Sequence, residues 1–132
     1  MTRNIELFRA IIARGFNQGD LSVADEVCAQ QLIEHEYLAL RDVPGPEILK
    51  NQIHAARKDV GGLTLTIEDI VEVDGKVWAR MVGRGTDMRS GKQIEMTIFD
   101  VCRFENGRMV EHWGVPDRFA LLYQLGLLAG PS

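Results

Sequence analysis

From Leu63 onward the chain runs in long alternating stretches joined by tight turn signals. "LTLTIEDIVEV" is followed by Asp74-Gly75, "KVWARMVGRGTDM" by "RSGK", and "QIEMTIFDVCRFE" by Asn106-Gly107, before "RMVEHWGV" closes the series. Asp-Gly and Asn-Gly between such runs favour the left-handed backbone of two-residue hairpins, so the second half reads as an antiparallel meander. Gly83 and Gly85 fall inside the second run and predict bulges or bends there, which a sheet needs in order to curl. At 132 residues the chain has room for one domain with a core and not for two, so residues 1–132 are read as a single domain.

The first half is helical. Ile5, Phe8, Ile12 and Phe16 recur at helical spacing, and Gly19-Asp20 ends that helix. Ser22 with Asp25 three residues on predicts a capped second helix. Leu32 to Tyr37 reads as a short strand. Pro46 suits the first position of a third helix, Glu47 favours its dipole, and Leu49, Ile53 and Ala56 form its apolar stripe. Gly61-Gly62 stops it, His54 falls on its solvent side, and "PDRFALLYQLGLL" ends the chain as a helical tail. Helices followed by a curved antiparallel sheet make an α+β plan.

The net charge of -4 and the absence of a basic run argue against nucleic acid. No apolar run approaches the roughly 20 residues that span a bilayer, so no membrane role is expected. Glu6 and Arg9 interrupt any signal-peptide core, and Cys28 and Cys102 form neither C-x-x-C nor a zinc spacing. The simplest reading is a reduced, cytoplasmic compartment.

One position breaks the pattern of the last hairpin. On "QIEMTIFDVCRF", Met96, Ile98, Asp100, Cys102 and Phe104 share a face, apolar except for Asp100. An inward carboxylate must find a partner, stay wet or take up a proton. On the next strand Arg108, Val110, His112 and Gly114 oppose Met109, Glu111, Trp113 and Val115. With Glu105 facing Arg108, strict register sets Trp113 beside Asp100 and turns His112 away; a one-residue bulge reverses this. Both registers stay open on the residues alone. Arg80 and Arg84 on the neighbouring strand offer Asp100 a structural partner. Taken singly, His35 and His112 have the ordinary reading of packed or surface histidines, and Trp78 and Trp113 that of core or interface residues.

"FDVCRFENGRMVEHWGVPD" followed by "LLYQLGLL" resembles the closing hairpin and tail of the SnoaL-like polyketide cyclase family, within the nuclear transport factor 2-like superfamily. "QLIEHEYLALRDVPGPEILKNQI" is similar to the family's earlier segment. The resemblance implies a cone-shaped α+β barrel, N-terminal helices packed in a curved antiparallel sheet around a ligand cavity, and a homodimer through the sheet's outer face. Family members close rings by intramolecular aldol chemistry without metal or organic cofactor. Carried over residue by residue, the inward His of the family falls on His35, its inward polar strand residue on Asp100, and its Glu-His-Trp element on Glu111, His112 and Trp113. It also implies that His112 faces the interior. The acid/base Asp that follows that Trp in the cyclases is replaced here by Gly114.

The chemistry that fits is proton abstraction next to a carbonyl. Asp100 is the candidate base, and His35, His112 or Tyr37 the donor to the enolate oxygen. Met96, Ile98 and Cys102 supply an apolar wall and Trp78 a further contact to a small apolar ligand. An aldol cyclase, isomerase or dehydratase is expected. Epoxide opening needs a second inward carboxylate, for which the sequence offers no convincing candidate. The missing acid at Gly114 favours the competing reading, a binding protein or dimeric scaffold without turnover.

Overall fold

The computed structural model describes residues 2–36 and 43–129. α1 (Arg3–Ala10) starts at Thr2, whose hydroxyl accepts from Ile5 N at 3.2 Å. It continues into a π-helical segment, Ile11–Phe16, where the sequence reads as a plain α-helix. The wider turns end on Asn17, whose side-chain amide is spent on the sheet: Nδ2 donates to Leu65 O at 3.0 Å and Oδ1 accepts from Leu65 N at 2.7 Å. Two otherwise unpaired backbone groups of the edge strand are satisfied in this way.

α2 is Ser22–Val27, and its start corrects the expected cap. Ser22 is already helical; Asp20 Oδ1 accepts from Ser22 N at 3.0 Å and from Ser22 Oγ at 2.5 Å. Strand β1 spans Cys28–Glu34, beginning four residues earlier than Leu32. α3 (Gly45–Asp59) has Pro44 as its N-cap and Pro46 in its first turn, and it ends directly on β2 (Val60–Val73), without a glycine stop. His54 is exposed, as expected. β3 (Lys76–Asp87), β4 (Gln93–Glu105) and β5 (Arg108–Pro116) follow, then α4 (Arg118–Gln124), capped by Asp117.

Both hairpin signals hold. Asp74 and Gly75 have φ of 52° and 76°, and Asn106 and Gly107 have 51° and 73°. The sheet order is β1-β5-β4-β3-β2, open at both ends, with β1 parallel to β5 and the remaining pairs antiparallel. The α+β plan therefore stands, as a mixed sheet of five strands that does not close. The expected irregularities of β3 lie instead in β2, at Gly61/Thr64 and Ile67/Asp69, while β3 pairs with β4 without interruption. Gly85 lets the bulged strand come close, since a Cβ there would overlap Val60 and stand 2.8 Å from Gly61 O.

The core joins the helices to the concave face of the sheet: Phe8, Ile12, Val23, Val27, Ile48 and Ile53 pack with Val77, Met81, Cys102 and Phe104. Ile53 is fully buried at the centre of α3, with its side chain beside Gly15 and so between the first and third helices. Ile53→Ala leaves a cavity that a close-packed interior fills only in part. We expect it to cost about 2–5 kcal/mol, read as a lower urea midpoint with an unchanged slope.

Candidate functional site

Pairing across the sheet sorts the side chains into two faces. On the convex face Val71, Trp78, Val101 and Trp113 form one continuous row. On the concave face two adjacent rows matter. One runs Val77, Cys102, His112, Glu34, and the other Ala79, Asp100, Gly114. Asp100 thus lies between the two smallest side chains of its row, so nothing from its own sheet neighbours covers it.

The register that produces this arrangement is the bulged one. Glu105 pairs with Arg108 and Phe104 with Met109, but Arg103 then pairs with Glu111, so Val110 is the extra residue. Every later residue of β5 changes face, which turns His112 inward beside Cys102 and Trp113 outward.

His112 is 8% exposed and is held at both ring nitrogens. Nδ1 lies 2.7 and 2.9 Å from the two Glu34 oxygens, and Nε2 lies 3.5 Å from Asp100 Oδ2. Burial alone would lower the imidazole's pKa. The bonds to Asp100 and Glu34 and their charges outweigh it and push the value up to about 10. His112 is therefore an imidazolium at neutral pH, with both nitrogens donating. Glu34 is 3% exposed, and burial opposes its ionisation. It nevertheless stays below the usual carboxylate range, because it accepts from His112, from Glu36 N at 2.9 Å and from Gln52 Nε2 at 3.1 Å.

Glu36 follows just beyond β1, on the same side as Glu34. Burial, assisted by the charges of Asp100 and Glu34 and opposed by those of His112 and Arg118, raises its carboxyl to about 7. Arg118 Nη2 is 3.7 Å from Glu36 Oε2. A Cβ placed on Gly114 would overlap Glu36 Oε1 and stand 2.9 Å from Asp100 Oδ1 and 3.0 Å from His112 Cε1. The space that a side chain at 114 would take is thus filled by a carboxyl from another strand. Glu36, Asp100 and His112 each offer a polar atom within 4.8 Å of the others. An imidazolium has no lone pair for an ion, so cation uptake there would first have to displace the His112 proton.

Several expected site residues lie elsewhere. His35 is on the convex face, where it stacks on Trp113 at 4.8 Å between ring centroids and its Nε2 meets Glu111 Oε2 at 2.8 Å. The parity of β1 forces this: Leu32, Glu34 and Glu36 point inward, so His35 cannot. Trp78 also faces outward and is half exposed. Arg80 pairs with Asp69 and Arg84 with Glu95, leaving Asp100 to His112. Met96 and Ile98 are half-buried on the concave face as expected. Cys102 is a core residue, its thiol pushed well above the ordinary range by burial, and does not face an open volume as a wall. Tyr37 lies outside the described residues. Glu34 and Glu36 were missed by the sequence reading, although the alternation from Leu32 carried the signal; they supply the inward carboxylates it lacked.

A family model described as SnoaL-like polyketide cyclase matches residues 6–125. Among solved structures, TsrD from Streptomyces laurentii is similar over 96% of each chain, at 25% identity and a TM-score of 0.84. IdmH from Streptomyces antibioticus is similar over 95% of this chain and 99% of its own, at 27% identity and a TM-score of 0.79. A SnoaL-like polyketide cyclase from Agrobacterium tumefaciens shares the fold at 16% identity, over 96% of this chain and 100% of its own, with a TM-score of 0.78. No curated protein matches the chain.

The charge array makes stability depend on pH in a defined direction. A histidine whose pKa is raised on folding stabilises fully below its unfolded value of 6.5 and loses that contribution as pH rises through about 10. Glu34, with a lowered pKa, contributes above 4.5 and loses its contribution as pH falls. Removing one partner of a buried pair costs about 3–5 kcal/mol. In His112→Gln we therefore expect a loss of that size between pH 4.5 and 6.5, shrinking on either side, measured by urea unfolding across pH. A pH-independent difference would contradict this account.

Proposed function

The chain belongs to the SnoaL-like polyketide cyclase family, and we propose that it carries out cofactor-independent acid/base catalysis on a small, mostly apolar carbonyl compound, of the aldol-cyclase type. The observation that carries this reading is Asp100: a carboxylate 15% exposed, uncovered by Ala79 and Gly114, and 3.5 Å from a buried imidazolium. Asp100 takes a proton from the carbon next to the carbonyl. The His112 Nε2–H makes only a long contact to Asp100, so it keeps donor capacity for the enolate oxygen as charge develops there. Glu34 fixes the ring from behind and keeps it charged, and Gln52 in turn holds Glu34. Half-buried Met96 and Ile98 share the face of Asp100, which favours an apolar substrate there. His35 leaves the catalytic set. Cys28 and Cys102 are free and buried thiols, which suits a reducing, cytoplasmic setting.

A binding protein without turnover is the second reading, and the bare Gly114 is what favours it. Deuterium exchange α to the carbonyl of 2-tetralone, followed by proton NMR, separates the two. The unmodified protein should accelerate exchange, and Asp100→Asn should lose about 10²–10⁴-fold of that rate with its circular dichroism unchanged. Binding without exchange in the unmodified protein, or full activity in Asp100→Asn, removes the catalytic proposal.

A homodimer through the convex face is part of the same proposal. Trp78 and Phe99 are 50% and 55% exposed there, beside Val71 and Val115 at 55% and 67%, an apolar surface of the kind monomers rarely leave uncovered. Light scattering at micromolar concentration should give twice the 14.8 kDa chain mass, and Trp78→Glu should shift it to the monomer.

A further inference from the structure

We propose that Glu36 is the proton donor of this site: reaching over the bare backbone of Gly114, its carboxyl protonates the acceptor carbonyl oxygen while Asp100 deprotonates the donor carbon. This rests on the acid/base reading above and adds the second half of its chemistry.

Three features on the concave face support the assignment. Glu36 belongs to the Leu32, Glu34, Glu36 side of β1 and its continuation, so its side chain is delivered to the same surface as Asp100 and His112, with polar atoms of all three within 4.8 Å. Gly114 gives the carboxyl its room, because any Cβ at that position would overlap Glu36 Oε1. The two carboxyls also occupy different environments. Asp100 faces the His112 imidazolium directly. Glu36 is 19% exposed and sees Asp100 of β4, Glu34 of β1, His112 of β5 and Arg118 of α4; burial and the two carboxylates prevail, leaving it at about 7. A carboxyl that holds its proton about half the time at neutral pH is suited to giving it up, and two carboxyls of unlike environment divide the roles of acid and base.

The step balances without a co-reactant. The C–H electron pair at the donor carbon becomes the enolate and then the new C–C bond. The acceptor C=O π pair moves onto oxygen and takes the Glu36 proton, while Asp100 holds the proton from carbon. Return of that proton from Asp100 to Glu36, a short distance across the cluster, resets the site. The substrate is isomerised, with no change of oxidation state.

The test uses the reverse direction, retro-aldol cleavage of a fluorogenic aryl β-hydroxyketone, alongside 2-tetralone exchange. Of the two carboxyls, exchange needs Asp100 alone; cleavage needs both. Glu36→Gln should lower cleavage about 100-fold or more and abolish its pH limb near 7, with a much smaller loss of exchange. Glu36→Ala should be equally impaired, and Glu36→Ala with Gly114→Asp should recover at least about tenfold, because a carboxyl on residue 114 points into the same space. Cleavage by Glu36→Gln at the unmodified rate, an equal loss of exchange and cleavage in that variant, or an unmodified protein that exchanges but never cleaves overturns the role of Glu36 and leaves Asp100 as base. An unmodified protein that does not exchange overturns the parent reading and this one together.

Discussion

Everything distinctive about this fold's interior depends on one buried charge array: the His112 imidazolium between the carboxylates of Glu34 and Asp100. A cation and two anions withdrawn from water are costly unless each is paired and its remaining hydrogen-bonding capacity is met. Here Glu34 is satisfied on all sides, by His112, Gln52 and the Glu36 backbone, and no buried side-chain polar atom among the described residues lacks a partner. Asp100 is the exception in degree. Its contact to the ring is long and the side chains paired with it across the sheet are only Ala79 and Gly114, so it is the member of the array with hydrogen-bonding capacity left over.

The array exists because of a single extra residue. Without the bulge at Val110, Trp113 would enter the interior and His112 would leave it. Glu34 would then be a buried anion in the row where the strict register sets Glu111, a second carboxylate, opposite Cys102. The parallel pairing of β1 with β5 matches Ile33 to Glu111 and Glu34 to His112, and so makes the bulged register the one in which inward charges meet. The convex face gains from the same shift, since His35, Glu111, Trp113 and Arg103 then form a continuous contact set of their own.

The hairpins were legible because their signals are local: Asp74-Gly75 and Asn106-Gly107 need only their own backbones to specify a turn. The inward placement of Asp100 was legible for a similar reason, since five alternating residues on one strand fix a face. The bulge was not, because the choice between registers is made by pairing with a strand 78 positions away in sequence. Nor was the start of α2, where Asp20 takes the capping role from Ser22. The placement of His35 went wrong because the resemblance assigned it inward, while the residues' own alternation from Leu32 put Glu34 and Glu36 there. Two inward carboxylates look prohibitive in a lone strand and become reasonable only once His112 is known to face them.

Gly114 changes meaning on the same grounds. Along the sequence it is a vacancy where an acid would be expected; in space it is the clearance that admits Glu36. A site of this kind is specified by which oxygen and nitrogen atoms converge, and several backbones can deliver the same atom. With Ala79 and Gly114 both small, Asp100 and Glu36 approach each other above a flat stretch of sheet, and mutual repulsion together with burial keeps one of them close to neutrality. The position of the glycine therefore tunes the carboxyl as well as making room for it. Any side chain at 114 would push Glu36 away from Asp100 and towards solvent, where its proton would be lost well below neutral pH.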